Sequence, residues 1–317
     1  MKWLEKKWWM GVGALAAVLM LMVVMFQEEK HPNPQQPNPW VEEFRKLEKL
    51  SPQAPSSYLH VRTGTTYRTT TGVERYRAVT IDQNAVVEIA GAGTWILNTL
   101  SLEIGDSVEV VARGISGADG KNGRRGRDGA NCASGTDGST GEAGTNGSPG
   151  KIVEIRARTL QLPTQPVRVD TRGGRGGNGG AGGDGGNGGR ADRSETCGGG
   201  NGGKGGNGGG AAVGGAGGNF FVRYTVASAK TEDGRVISLD ANQVADRFKH
   251  LADGGESGQP GSGGKGGDGG RRRGAGLPGT GQPPGSAGSD GQKGPTAQQT
   301  ALSGMADIAS VVEEGGT

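Results

Sequence analysis

The sequence predicts an all-β sandwich into which three glycine-rich hairpins are inserted, and these hairpins are expected to form a six-arm bundle of polyglycine II helices. A single N-terminal transmembrane helix would carry both parts. Three observations lead to this fold class. Glycine makes up 67 of the 317 residues and recurs with a period of three in three long stretches. Short alternating β runs lie between these stretches, and an apolar run without charges lies near the N-terminus.

The apolar run from Trp8 to Phe26 approaches the ~20 residues that span the hydrocarbon of a bilayer. Lysines precede it and acidic residues follow it. This asymmetry predicts a single-pass protein with a cytoplasmic tip (residues 1–7) and with its bulk in the periplasm or outside the cell. A cleaved signal peptide is the alternative, but residues 22–27 offer no small-x-small cleavage site.

A proline-rich stalk with a short amphipathic helix is expected over residues 27–57. Asn38 can cap this helix, with Pro39 at its first position. Trp40, Phe44 and Leu47 then share one face of the helix. That face could meet the membrane, a partner or the protein's own domain.

Strands are predicted in the regions 58–113, 151–172 and 220–253, because short runs there alternate between apolar and polar residues. Alternation without βαβ spacing favours an antiparallel sandwich. In the third region, Asp240 is expected to cap a helix from Ala241 to Leu251. The segment 296–317 is expected to hold a C-terminal helix and tail, with four apolar residues on one face (Leu302, Met305, Ile308, Val312).

The glycine stretches differ in their repeat: residues 114–150 are Gly-X-Y, 173–219 are Gly-Gly-X, and 254–295 mix both. Each stretch breaks near its centre, so each is expected to turn back as a hairpin of two antiparallel arms. A collagen triple helix fits poorly, because proline is scarce in the first two stretches. Gly-Gly-X exposes two bare ridges, which predicts a central place for the second hairpin. Side chains at its free positions and those of the third hairpin are expected to face solvent (Arg175, Asn178, Asp184, Lys204, Lys265, Asp268).

Arrays of Gly-Gly-X with short breaks resemble polyglycine II helical-bundle domains, such as those of the snow-flea antifreeze protein and of some phage tail-fibre adhesin tips. The resemblance covers about 123 of the 317 residues and is one of periodicity. It therefore implies a fold more than a function. The anchor and strand regions resemble no specific family.

Composition argues against an enzyme and against nucleic acid binding. The net charge is only +3, and two Cys and three His leave too few ligands for a zinc or catalytic cluster. No Gly-x-Ser-x-Gly elbow occurs, and no glycine loop continues into the Lys-Ser/Thr of a phosphate-binding loop. The sequence thus predicts no catalytic residue, no cofactor and no metal.

Two groups of residues are candidate sites. The cysteines, Cys132 and Cys197, lie at or beside the turns of the first two hairpins, where an exported protein could join them by a disulfide. Two free thiols or a bond between chains are the alternatives. Arginines near the first and third turns are candidate contacts for an acidic glycan or protein partner (Arg124, Arg125, Arg127, Arg271, Arg272, Arg273).

The function predicted from these features is that of a non-enzymatic, membrane-anchored exported protein, structural or adhesive, that presents a rigid bundle. The alternative is a scaffold subunit of a cell-envelope assembly whose bundle packs on partner proteins. An ice-binding protein is a third hypothesis. It is disfavoured because the free ridges carry Arg, Asn, Asp and Lys rather than a flat surface of small residues or Thr.

Overall fold

The computed structural model describes residues 39–49, 57–191, 198–231, 233–271, 292 and 306–310. The anchor predicted over residues 8–26 lies outside these residues. Within the described part, no helix has the length and apolar character needed to cross a bilayer. The chain divides into two compact units, Met1–Arg45 and Lys46–Thr317, and the second holds all the strands.

Ten strands form a single curled sheet. Two helices are described, α1 (Pro39–Glu48) and α2 (Ala241–Asp246). The strands are β1 (Tyr58–Val61), β2 (Thr66–Ile81), β3 (Val86–Ile104), β4 (Glu109–Val111), β5 (Ile152–Leu162), β6 (Val167–Asp170), β7 (Phe220–Lys230), β8 (Val236–Ser238), β9 (Phe248–Leu251) and β10 (Ala306–Ser310).

The pairing of these strands is parallel except between β7 and β8, so the predicted antiparallel sandwich is wrong. Successive passes of the chain stack in register: Tyr67 lies beside Val87, which lies beside Val110, followed by Val169 and His250. The chain therefore winds as a parallel β-solenoid. Alternation of apolar residues is the same for both pairing directions, so the sequence pattern could not separate them.

Each full coil of the solenoid has three walls. The first wall is built from the start of β2 and β3 and from β4, β6 and β9. The second and third walls are formed by the later parts of β2 and β3 and by the two halves of β5 and β7. The strands bend between these walls, where the register passes over one residue, as between Tyr76 and Ala78. Inward side chains from all three walls form one buried core, including Val87, Trp95, Leu102, Val153, Leu160, Val169, Phe220 and Val222.

Helix α1 ends against this solenoid. Leu47 is buried, and Glu48 accepts hydrogen bonds from Arg77 on β2 and Arg158 on β5. Phe44, in the first unit, is also buried, whereas the side chain of Trp40 lies outside the described part. The C-terminal end of the helix thus contacts the protein's own strands.

Two predicted helices need correction. Asp240 does cap α2 through a capping box with Gln243, as predicted, but the helix ends at Asp246. Phe248–Leu251 is strand β9, because Phe248 turns inward against Phe220, with 5.1 Å between the ring centroids. In the segment predicted as a C-terminal helix, residues 306–310 form β10, which pairs with β7. Short segments take strand conformation where a solenoid edge offers hydrogen-bond partners.

All three glycine-rich segments leave the solenoid at the same corner, between the first and second walls of three successive coils. They connect β4 to β5, β6 to β7 and β9 to β10. In the two preceding coils, Thr71 and the four residues 91–94 make this corner. The stacking of coils therefore stacks the three insertions side by side.

Candidate functional site: the glycine-rich bundle

Five arms of the glycine-rich bundle are described, and none of these five forms an α-helix or a β-strand. Arm 1 (112–131) and arm 2 (133–151) form the first hairpin, with Cys132 at the turn. Arm 3 (171–191) and arm 4 (198–219) form the second. Arm 5 (252–271) belongs to the third glycine-rich stretch, in the rest of which only Gln292 is described, so the predicted sixth arm lies outside the described residues.

Hydrogen bonds between the arms repeat every third residue. Amides from Ser148 back to Thr136 donate to carbonyls from Ile115 on to Arg127, at 2.9 Å each, so arms 1 and 2 run antiparallel. The amide of Gly200 likewise donates to Gly189, and this series continues to Gly218. Both segments thus turn back on themselves, as predicted. A period of three with partners only on neighbouring arms is the behaviour of polyproline II-type chains.

The second hairpin lies between the first hairpin and arm 5. Arm 3 accepts bonds from arm 1, donates to arms 2 and 5, and accepts from arm 4. The amides of Gly173, Gly176 and their successors reach arm 5, whereas those of Gly174, Gly177 and their successors reach arm 2. Two bare positions per turn therefore serve two different neighbours.

Glycine is required in the arms because the neighbouring backbone is so near. A Cβ placed on most of the arm glycines, Gly179 and Gly206 among them, would come within 1.5–2.3 Å of a carbonyl oxygen on another arm. In arm 4, Ala211 and Ala212 replace the two glycines of one repeat, and Ala212 takes the position that faces arm 3. Its amide bond to Gly177 is 3.1 Å long, against 2.7 and 2.8 Å for the corresponding bonds of Gly209 and Gly215. One methyl group is accommodated there by a local widening.

In each three-residue repeat, the remaining amide belongs to the residue that carries a side chain. Asn, Asp and Ser side chains of a neighbouring arm accept hydrogen bonds from these amides, a role that the sequence reasoning missed. Asn178 Oδ1 accepts from the amide of Gln259 at 2.8 Å, and Asp184 Oδ1 accepts from that of Lys265 at 2.8 Å. Asn178 and Asp184 are thus bound to arm 5 and not merely solvated, which corrects the expectation for these two. The same role is taken by Asp119, Asn122, Asp128, Ser134, Asp137, Asn146, Asn187 and Asn207. The signal in the sequence was the recurrence of Asn, Asp and Ser at every third position.

A buried carboxylate holds the base of the bundle. Asp170 has no exposed side-chain area, and it accepts hydrogen bonds from Arg113 Nη2 at 2.7 Å and Arg172 Nη2 at 2.8 Å. Burial alone would raise the pKa of Asp170, but the hydrogen bonds from Arg172 and Arg113 outweigh it and hold this pKa far below its usual range. Since Arg113 precedes the first insertion and Arg172 begins the second, this cluster fixes both at their point of departure.

Next to this carboxylate lies a pair formed by the buried Thr171 and the half-buried His250. The Thr171 hydroxyl lies 2.8 Å from the carbonyl oxygen of Gly218 and 2.7 Å from His250 Nε2. A carbonyl can only accept, so the hydroxyl donates to it and His250 donates from Nε2. Burial lowers the pKa of His250, and the nearby charge of Asp170 only partly opposes this effect. His250 is therefore neutral at pH 7.

The candidate arginines do not form one cluster. Arg124, Arg125 and Arg127 are exposed on arm 1, and Arg125 pairs with Asp128 at 3.0 Å. Arg271 is exposed at the far end of arm 5, with arm 3 between it and arm 1. Arg272 and Arg273 lie outside the described residues. Arg190, which the sequence reasoning missed, is exposed at the end of arm 3. It lies at the level of the first hairpin turn, because its carbonyl accepts a hydrogen bond from the Cys132 amide.

Cys132 forms the first turn with φ +63°, and Ala133 closes the turn through a bond to Ala130. Among the described residues no cysteine is free. Cys197 lies outside them, so its predicted disulfide with Cys132 stays a prediction. No three His, Cys, Asp or Glu side chains of the described part lie close enough together to hold a metal ion.

Comparison with known proteins agrees with this geometry. The family model of the collagen triple helix repeat matches residues 109–153, from β4 through the first hairpin to the start of β5. This segment is a collagen-like glycine repeat. The match fits a glycine-rich bundle of polyproline II type, and it indicates a structural protein.

No curated protein matches the chain. Among solved structures, a springtail antifreeze protein from Granisotoma rainieri, described as a bundle of nine polyproline type II helices, is similar at 25% identity over 58% of this chain and 95% of that one. The TM-score of this comparison is 0.12.

Proposed function

We propose that the chain is a non-enzymatic, membrane-anchored exported protein, in which the solenoid holds the glycine-rich bundle away from the membrane as a structural or adhesive projection. The observation that carries this proposal is the hydrogen-bond lattice of the arms. Arm 3 is bonded to four neighbours along its whole length. Such a lattice resists bending, because moving one arm breaks bonds to several others.

The length of the arms supports a role in spacing. About six turns of three residues lie between the solenoid and the Cys132 turn, and each residue of this chain type advances ~3.1 Å. The bundle therefore extends on the order of 55 Å from the corner of the solenoid. Its surface consists of side-chain ridges on rigid arms, which is suited to contact with other molecules.

Export can be tested by fusing β-lactamase to the C-terminus of the full chain in a Gram-negative host. The proposal predicts ampicillin resistance, because the enzyme acts only outside the cytoplasm. Val18→Arg combined with Met22→Arg should abolish both resistance and membrane association, since two charges within the apolar run oppose insertion. A resistant double variant, or a sensitive parent, would contradict the proposed anchor.

Adhesion and scaffolding differ in what accompanies the purified protein. An adhesive projection should be monodisperse in detergent and should bind intact cells or immobilised glycans. A scaffold subunit should instead co-purify with defined envelope proteins and show no binding to cells. Affinity purification of the full chain followed by both assays separates these two outcomes.

A further inference from the structure

One outer ridge of the bundle carries three cations in line. Residues 115, 118, 121, 124, 127 and 130 share this edge of arm 1, because they recur every third residue and their carbonyls or amides face arm 2. All six are exposed, and the third, fourth and fifth of them are Lys121, Arg124 and Arg127. We call these three side chains the edge cations. Their spacing along the arm is about 9 Å, three residues at ~3.1 Å each.

Within the described part of the chain, one carboxylate lies beside the edge cations without forming an ion pair with them: the amide of Glu142 on arm 2 donates to the carbonyl of Lys121 at 2.9 Å. None of the three makes an ion pair, whereas Arg125, on the next ridge, is bonded to Asp128. The edge ridge itself contains no acidic residue. The ridges of arms 1, 3 and 5 that carry the capping side chains differ from the edge, because they contain acidic as well as basic residues. The acidic residues are Asp119, Asp128, Asp184 and Asp268. The edge thus carries three cations against one neighbouring carboxylate, Glu142, and it keeps a net positive charge.

Hydroxyl groups flank the two arginines. Ser139 Oγ accepts from the amide of Arg124 at 2.6 Å, and Thr136 Oγ1 accepts from that of Arg127 at 2.7 Å. As an acceptor of this bond, Ser139 keeps its own O–H, for which the described residues provide no acceptor. The hydroxyl of Ser139 thus lies beside the backbone of Arg124, and that of Thr136 lies beside the backbone of Arg127, to whose carbonyl it also donates at 3.5 Å. Both hydroxyls are on the same exposed edge as the two arginines.

The edge is also held rigid before any ligand arrives. Arm 1 is bonded along its length to arm 2 on one side and to arm 3 on the other. The three positive charges therefore keep a fixed line and spacing, and binding orders only the side chains. Arginine forks match the paired oxygens of carboxylate, sulfate and phosphate groups, and lysine adds a point charge.

We propose that the edge cations, with Ser139 and Thr136, bind a linear acidic polysaccharide whose charged groups follow the ridge. This deepens the proposed function, since it names the partner chemistry of the adhesive projection. It also moves the site from the turns, where the sequence placed it, to the side of the first hairpin. Hydroxyl-rich sugars with spaced charges suit a ridge that alternates guanidinium and hydroxyl groups.

The test uses the full chain in non-ionic detergent and measures affinity for hyaluronate, which carries carboxylates, and dextran sulfate, which carries sulfate esters. Neutral dextran and double-stranded DNA are the comparison ligands. The edge variant is K121Q/R124Q/R127Q. The matched control, K204Q/K249Q/K265Q, removes the same charge from exposed lysines on arm 4, β9 and arm 5.

We expect the edge variant to bind at least about tenfold more weakly at low salt, and the control less than threefold, because three contacts of modest strength act on one rigid ligand. Affinity of the parent should fall as salt rises. Which anionic polymer binds more tightly distinguishes carboxylate from sulfate recognition. Equal losses in both variants, equal binding of neutral dextran, or tighter binding of DNA than of both acidic polysaccharides would overturn the proposal.

Folding of the variants is checked by their melting temperatures. If the triple variant melts early, R124E alone replaces it, since one exposed side chain without internal contacts can be reversed safely. Unchanged polysaccharide binding by a folded R124E would also contradict the proposal. Failure of export in the β-lactamase assay would remove the proposed function, but it would leave this binding result as it stands, because binding is measured on purified protein.

Discussion

Gly179→Ala tests whether the arms are packed as closely as their hydrogen bonds indicate. Gly179 lies in the middle of arm 3. A Cβ there would come 2.0 Å from the carbonyl oxygen and 2.5 Å from the carbonyl carbon of Gly209 on arm 4. Both atoms belong to backbone, so no side chain can rotate away. Arms 3 and 4 must separate by about 1.5 Å to restore an ordinary contact distance.

The cost follows from the bonds that such a separation weakens. The nearest are those from Gly179 to Gln259 (2.8 Å), from Gly180 to Glu142 (2.8 Å) and from Gly209 to Gly180 (2.7 Å). At about 0.5–1.5 kcal/mol each, their loss amounts to about 2–4 kcal/mol. The lower entropy of an unfolded alanine offsets roughly 0.4–1 kcal/mol. We therefore expect Gly179→Ala to lower the free energy of unfolding by about 1–3 kcal/mol, and Gly179→Val by more.

Calorimetric unfolding and amide hydrogen exchange measure this effect. Lys204→Ala is the control, because this exposed position already carries a Cβ and its side chain makes no hydrogen bond or ion pair with the residues that the structure describes. Exchange should rise in Gly179→Ala at amides of arms 3 and 4, and it should stay at parent values in Lys204→Ala. Equal stabilities of the two variants, with unchanged exchange in both, would refute the close-packed arrangement.

Asp170→Asn should lower the free energy of unfolding, measured in denaturant, by about 2–3 kcal/mol. This is less than for a fully buried ion pair, because the arginine partners of Asp170 are half-exposed. The parent should lose the same contribution as the pH falls below about 4, since the native pKa of Asp170 is lowered. His250, whose native pKa is lowered by burial, should make stability fall as the pH drops below about 6.5, because the unfolded state then binds more protons. His250→Gln should flatten that part of the profile, and an identical profile would contradict the neutral, half-buried histidine. Non-reducing peptide mass spectrometry should join Cys132 to Cys197 within one monomer; two thiols that alkylate in the native protein would contradict the bond.

The arrangement of the arms was largely predictable from sequence, because a period of three leaves few alternatives. The breaks near residues 132 and 190–197 predicted two hairpins, and the Gly-Gly-X repeat predicted the central place of the second. The side-chain caps were missed, since the reasoning treated the third position of each repeat as solvated. A recurring Asn or Asp there also matched a need of the backbone, namely one unsatisfied amide per turn.

The solenoid was not predictable in the same way. Strands such as β3 and β5 were recognised from their alternation, but the direction in which they pair depends on contacts across more than forty residues. Strand β9 read as the end of a helix because Val244, Phe248 and Leu251 recur at helical spacing. The shift of the site from the turns to the arm 1 edge has a similar cause: only the fold shows that Arg125 is neutralised by Asp128, whereas Arg124 and Arg127 are not.

The common corner of departure gives this architecture two independent dimensions for evolutionary change. A tandem duplication of one coil would add strands that continue the same walls and one more hairpin that already lies in register with the last. Insertions within the arms, in contrast, preserve the hydrogen-bond lattice only if whole triplets are added at the same height in every arm. Each such triplet lengthens the bundle by about 9 Å. Single-residue insertions should therefore be rare within the arms and frequent at the turns. The number of coils would then set the width of the bundle, and the number of triplets its length.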